Sequence, residues 1–345
     1  MSALLAIWSV VGILAEVPSG ALADRFSRRG ALVASGLLQA IGYSLWIVTP
    51  SFVGFALGFA LWGAGSSLSS GTFEALLYDG LAASQSEDTY PRVIGLATAL
   101  GLVAQIPAAV LASALFVVGG YPLVGWVSVG VCLLVSAGAC AFPDHRPAAD
   151  ANGDESGEPD YLETLRAGVR AVRSSPPVLS AVVAVSLLFG LDAMEEYFPL
   201  QIQSWDVATT WVPIVVLTIP LGGALGSALA GRGSHLSARA LGVLLGAAGG
   251  ALGIASLSSR SMGVAAIVAF YGVYRFVLSV AEARLQRRLP STARATATSV
   301  AALCGEVAGL AVFGLWALGG IGVISLGVLL VAVAVQRGLG VGVRR

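Results

Sequence analysis

Seven carboxylates and one guanidinium interrupt stretches of sequence that are otherwise apolar: Glu16, Glu74, Asp192, Glu195, Glu196, Glu282 and Glu306, with Arg275 as the single base. Asp192, Glu195 and Glu196 fall within five consecutive residues. A carboxylate shielded from water holds a proton more readily than one in solution, and it can exchange that proton as its access to water changes. An arginine in the same surroundings needs a counter-charge. The pattern predicts that Arg275 pairs with Asp192 or Glu195 and leaves another acid to carry protons. A static pair that only fixes helix register is the alternative. Glu74 and Glu282 lie near the ends of their runs and are read as gate or packing residues, whereas Glu16 and Glu306 are further cavity candidates. An acidic interior suits cationic or amphipathic substrates, because phosphates and other anions usually require arginine clusters. Trp62, Tyr197, Tyr271, Tyr274 and Phe276 could supply a stacking wall, although aromatic residues serve equally as ordinary core.

Other chemistries lack the residues they need. His145 and His235 lie in polar segments without metal-ligand spacing, and Cys132, Cys140 and Cys304 are scattered through apolar runs. Three such cysteines make neither a disulfide framework nor a metal site. No P-loop is present to hydrolyse a nucleotide. The chain is therefore expected to have no catalytic residue, metal or cofactor, and to draw on a proton or ion gradient.

Long apolar elements must position these charges. Of 345 residues, 57% are hydrophobic and 11% charged, with a mean hydropathy of +0.86. Soluble domains carry about a quarter charged residues, so a soluble enzyme, a nucleic-acid binder and a disordered scaffold are excluded. The 44 glycines fit helices that pack closely in lipid. A membrane helix needs about 20 apolar residues. Punctuation by Gly, Pro and charge gives eleven such runs: 1–23, 30–49, 51–79, 92–119, 121–142, 178–203, 208–231, 237–257, 261–284, 291–318 and 320–337. Their length and Ala–Leu content argue against strands. All basic residues are arginine, and seventeen of the nineteen fall in loops on one side of this arrangement. By the positive-inside rule that side, with the C-terminus, is cytoplasmic.

The loop 143–177 divides the chain into a first half, 1–142, and a second, 178–345. It begins as an acidic linker; Leu162, Leu165, Val169 and Val172 then recur at helical spacing, as in a short helix lying at the lipid headgroups. The halves repeat. Ala21-Leu22-Ala23-Asp24-Arg25 matches Ala228-Leu229-Ala230-Gly231-Arg232, Glu74-Ala75 matches Glu282-Ala283, and Arg92 corresponds to Arg294. This pairs the first five runs with the last five and leaves 178–203 without a partner, so the sequence reads as lacking a first helix, either through a mis-called start or through a natural truncation. Met1 also enters an apolar run without the basic segment of a signal peptide. Gly242, Gly246 and Gly250, and likewise Gly305 and Gly309, have the spacing of close helix contacts within one half.

Two six-helix halves joined by a cytoplasmic loop are a transporter arrangement. Gly20-Ala21-Leu22-Ala23-Asp24-Arg25-Phe26-Ser27-Arg28-Arg29 resembles the signature loop of the major facilitator superfamily, G-x-L-a-D-r-x-G-r-r, departing at Ser27 where that family has glycine. Ser70 to Asp79 is similar to the fourth helix of its efflux-type members. Gly95, Gly101 and Gln105-Ile106-Pro107 keep only part of the family's antiporter pattern. The resemblance implies an all-α, two-lobe polytopic bundle comprising family helices two to twelve. It implies a latch in which Asp24 faces the start of the run near 291–296 and Arg28 reaches Asp79, with Gly20 and Arg25 beside them. It also implies secondary transport by alternating access. The resulting expectation is a monomeric, multi-pass protein of the cell membrane, its partners the lipid bilayer and a small-molecule substrate, which exports cationic or amphipathic compounds against protons. A nutrient facilitator or symporter of the same fold, or a truncated protein that no longer transports, are the alternatives.

Overall fold

Serines open three of the helices, Ser237 among them, with its Oγ accepting from the Ala240 amide at 3.1 Å. Ser27 Oγ accepts a hydrogen bond from the Gly30 amide at 2.9 Å and Ser51 Oγ from the Gly54 amide at 3.2 Å. Each satisfies one of the amides that a helix start leaves unpaired. The departure at Ser27 from the signature loop is thus an N-cap. The computed structural model describes residues 1–25, 27–142, 170, 175–233, 235–255, 260–289 and 294–340, and for 17–25, 87, 255, 260–261 and 294–296 the backbone alone. Among the described residues there are no strands. The helix expected in the connecting loop lies outside them.

The helices are α1 (Ser2–Arg25), α2 (Arg28–Val48), α3 (Phe52–Ser69), α4 (Thr72–Ala83), α5 (Tyr90–Ala139), α6 (Pro176–Gly190), α7 (Phe198–Ser204), α8 (Val212–Leu229), α9 (Ala238–Ala255), α10 (Arg260–Arg288) and α11 (Arg294–Gly340). Among the described residues seven stretches are long and apolar enough to cross a membrane, and Ser2–Glu16 and Ala238–Ile254 are shorter apolar helices. The 50 residues of α5 would extend about 75 Å as one straight helix, against a hydrocarbon core of about 30 Å. The chain resolves this at Gly120, with φ 61° and ψ −158°, and α11 breaks in the same way at Gly320, with φ 60° and ψ −149°. That region of backbone space is open essentially to glycine alone.

Contacts divide the chain into two compact units, Ala3–Asp154 and Glu155–Arg345. In the first, α2 packs on α3 and α5, and serine hydroxyls tie the helices: Ser35 donates to the Gly65 carbonyl at 2.7 Å, Ser67 to that of Gly12 at 3.0 Å, and Ser136 to that of Val33 at 3.1 Å. In the second, α6 and α9 pack on α11, and α8 packs on α10, around buried Leu188, Phe198, Leu241, Phe270 and Tyr274. Small residues replace hydrophobic driving force at such contacts, because lipid is as apolar as leucine.

The packing repeats as the sequence does. A methyl group at Gly36 would lie 2.9 Å from the Cys132 carbonyl oxygen, and one at Gly242 would lie 2.6 Å from that of Ala332. The partners are spaced alike, just as Gly120 and Gly320 are. Gly246, Gly249 and Gly253 join Gly242 on the face that meets α11, whereas Gly250 meets open space. This corrects the expected triplet: eight residues from Gly242, Gly250 is turned about 80° away, and the stripe shifts to Gly249. Gly305 and Gly309 meet Phe189 and Ala193 near the end of α6.

Two runs expected to be continuous are broken. The run 51–79 turns at Ser70 (φ −60°, ψ 122°) and Gly71 (φ 68°, ψ −21°), the angles of a type II turn, whose third position requires a positive φ. The run 178–203 is interrupted by a 3-10 segment, Leu191–Tyr197. Both breaks fall next to charged residues.

Candidate functional site

The helix break in the second unit is written in two residues. Gly190 ends α6 where its backbone lies against α11, since a methyl group there would come within 2.9 Å of the Ala308 carbonyl carbon. Pro199 starts α7 and has no amide to donate back to Glu195, so a regular helix cannot be continued through it. Between them the chain winds as a 3-10 helix and carries Asp192, Glu195 and Glu196. A mid-helix 3-10 stretch with exposed backbone groups is a recurring feature of membrane binding sites.

Helix α10 faces this segment with Tyr271, Tyr274 and Arg275. Arg275 Nη1 stands 3.4 Å from Asp192 Oδ1, a loose ion pair whose side chains keep 36% and 41% of their surface exposed. Arg275 therefore pairs with Asp192 and not with Glu195. The Tyr274 hydroxyl donates to the Leu188 carbonyl at 3.0 Å, and Tyr271 stands beside Glu195 and Asp192. Glu195 and Glu196 are exposed. Asp192 and Glu195 stand beside Arg275, and Glu196 lies next to Glu195, so the site carries excess negative charge at the break in the helix. Chemically it can exchange a proton or bind a cation, with Arg275 as a resident counter-ion that either event would displace.

The aromatic residues take the more ordinary of the two roles open to them, as core. Tyr197 and Tyr274 are fully buried, Tyr271 nearly so, and they pack on one another and on Phe198, Phe270 and Trp316. Phe276 packs against Gly233, while Trp62 belongs to the first unit, with Trp8 and Tyr43. Of these rings only Tyr197 belongs to the 3-10 segment; Tyr271 and Tyr274 are turned toward it from the continuous helix α10.

Among the remaining candidates Glu282, two turns from Arg275 along α10, lies within electrostatic reach of Arg275 and Asp192. Arg28, in the first turn of α2, pairs with Asp79 on α4. Gly20, Asp24 and Arg25 fall on the last turns of α1, and their side chains lie outside the described residues, as does the segment expected to face Asp24. Glu16 Oε1 accepts from Ser70 Oγ at 3.0 Å, at the turn that ends α3. Glu74 sits exposed in the first turn of α4, where a carboxylate complements the helix dipole. Its repeat partner Glu282 is half-buried in the continuous helix α10, so the two do not share a local environment. Glu306 is on the exposed side of α11, next to the Gly305 face that α6 covers. Glu16 and Glu74 belong to the first unit, and the Asp192–Arg275 pair to the second. In the first unit, an open cavity of about 260 Å³ between α2 and α5 is lined mainly by apolar groups, with Gln39, Tyr43, Ser128 and Cys132 as its polar members. It holds no charge.

Sequence reasoning missed Tyr274 as a hydrogen-bonding residue and missed both helix breaks. Gly190 and Pro199 bracketing an acidic stretch were the available signal for the second.

Among curated proteins none matches the sequence significantly. Among solved structures, the nucleoside transporter NupG superposes with a TM-score of 0.73 at 13% identity, covering 98% of this chain and 88% of its own. A D-xylose–proton symporter superposes with a TM-score of 0.67 at 15% identity, covering 97% and 86%. At such identities the likeness is one of fold. The family model of the Major Facilitator Superfamily matches residues 1–314, nearly the whole chain, and with the apolar helices described above it identifies the chain as a multi-pass membrane transporter belonging to that superfamily.

Proposed function

We propose that this transporter is proton-coupled and moves small cationic or amphipathic compounds, with Asp192, Glu195 and Glu196 as its coupling and binding acids. The observation that carries the reading is the Asp192–Arg275 pair at a break in an apolar helix, with two further exposed acids within four residues. A proton or a cationic substrate arriving at Asp192 competes with Arg275 for the same carboxylate. That competition couples the two: one occupant leaves as the other binds, and the break in the helix gives the segment a way to respond. Export against inward proton movement is the direction proposed. The chain works as a monomer in the cell membrane, with its C-terminus in the cytoplasm, and needs no cofactor beyond the ion gradient.

A second reading, proton-coupled uptake, draws support from the fold likeness to a D-xylose–proton symporter and from the incomplete antiporter pattern around Pro107. Purified protein in proteoliposomes separates the two. Flux of tetraphenylphosphonium is followed with a pH gradient imposed in either direction and with none. Export by antiport predicts movement opposite to the protons; symport predicts movement with them. Flux that ignores the gradient in both directions contradicts proton coupling. An absence of flux for cations, sugars and nucleosides alike points to a protein that keeps the fold without transport.

A further inference from the structure

Two consecutive residues of α10 hold opposite sides of the break between α6 and the 3-10 segment. In a regular helix the Leu188 carbonyl would accept from the amide of Asp192, four residues on. Here the Leu191 amide turns back to Leu188 and Phe189, and the buried Tyr274 hydroxyl donates to the Leu188 carbonyl as well. One residue along, Arg275 reaches the Asp192 carboxylate beyond the break. Behind the break, Gly190 is pressed on the backbone of α11. The Tyr274 hydroxyl is enclosed and stands beside the Asp192 carboxylate as well. The arginine pair is long and open to whatever enters the site.

The winding matters because it aims the acids. A 3-10 helix turns about 120° and rises about 2.0 Å per residue, against about 100° and 1.5 Å for an α-helix. Over the seven residues Leu191–Tyr197 the difference amounts to about 140° of rotation and about 3.5 Å of length. Rewinding the segment as α-helix would carry Glu195 and Glu196 about 100–120° round the axis. It would also pull Tyr197 off Trp316, on which it stacks with ring centroids 4.2 Å apart and planes within 11°.

We propose that Tyr274 is a positioning residue, whose hydroxyl holds the 3-10 winding that aims Asp192, Glu195 and Glu196. The functional meaning rests on the reading of those acids as the coupling site, but the structural claim is tested without substrate or gradient. The full chain is labelled with fluorotryptophan and followed by fluorine NMR in detergent, the Trp316 resonance being assigned by Trp316→Phe. Tyr274→Phe deletes one oxygen and keeps the ring that stacks on Phe270. It is expected to remove the ring-current shift that Tyr197 imposes on Trp316, while the first-unit resonances of Trp8, Trp46, Trp62 and Trp126 stay in place. Arg275→Gln, which leaves the hydroxyl untouched, is expected to leave Trp316 where it is. An unmoved Trp316 in Tyr274→Phe overturns the proposal. So does Arg275→Gln displacing Trp316, because the ion pair would then be what holds the turn; this arm decides even where Tyr274→Phe does not fold. Failure of proton coupling in transport would leave either outcome standing.

Discussion

Gly71 and Gly80 lie nine residues apart, both with open space where a methyl group would go, yet alanine should act on them in opposite directions. Gly71 holds φ at 68° to turn the chain between α3 and α4, whereas Gly80 is inside α4. Nothing within 4 Å of either position would clash, so the effect of a methyl group is confined to the backbone. A left-handed alanine costs about 1–2 kcal/mol, and alanine in place of glycine inside a helix gains about 0.5–1 kcal/mol. The two variants should therefore differ by about 1.5–3 kcal/mol. For units of this size that corresponds to several degrees of melting temperature, at about 2–4 °C per kcal/mol. Thermal unfolding of the detergent-solubilised chain, followed by helical circular dichroism, measures it. The turn also sets the tilt at which α4 brings Asp79 to Arg28, so Gly71→Ala should loosen that pair as well. Equal melting temperatures for Gly71→Ala and Gly80→Ala would refute the argument, since the turn would then not depend on a positive φ.

The pair between Arg28 and Asp79 is mostly buried and should couple by about 0.5–1 kcal/mol. Arg28→Asp and Asp79→Arg are each expected to lower the melting temperature and their combination to recover most of the loss, whereas simple additivity would mean that the charges act separately. Gly242→Ala places its methyl group against the backbone of Ala332 and should cost about 1–3 kcal/mol by overpacking. Gly250→Ala enters open space and should be neutral or slightly stabilising, and equal losses in the two would mean that α9 does not meet α11 through the Gly242 face.

The all-helical fold could be read from the sequence because lipid demands long apolar runs and internally bonded backbone; the runs are helical, though 51–79 and 178–203 are each broken. The charges inside them were equally visible, since each ionisable residue stands out against an apolar background. Their surroundings were less so. Glycine punctuation already divided the runs at Gly120 and beside Gly320, but in a chain with 44 glycines nothing local marks Gly71 as another with positive φ. The 3-10 segment escaped periodicity for a related reason: its seven residues span too few turns for a change of pitch to register. Tyr197 lies in that segment and is buried on Trp316, whereas Tyr274 is buried on the continuous helix α10 that packs against it. Gly250 failed by one helical position, because a four-residue spacing drifts off a helix face whose true period is 3.6.

The central claim is that the acids of the 3-10 segment carry proton coupling, and flux in proteoliposomes tests it most directly. Asp192→Asn, Glu195→Gln and Glu196→Gln are each compared with the unmodified chain, with and without an imposed pH gradient, for a substrate that the unmodified chain moves. At least one of the three, Asp192→Asn foremost, should lose the gradient-driven component while keeping exchange of substrate for substrate. Unchanged gradient-driven flux in all three would contradict the account.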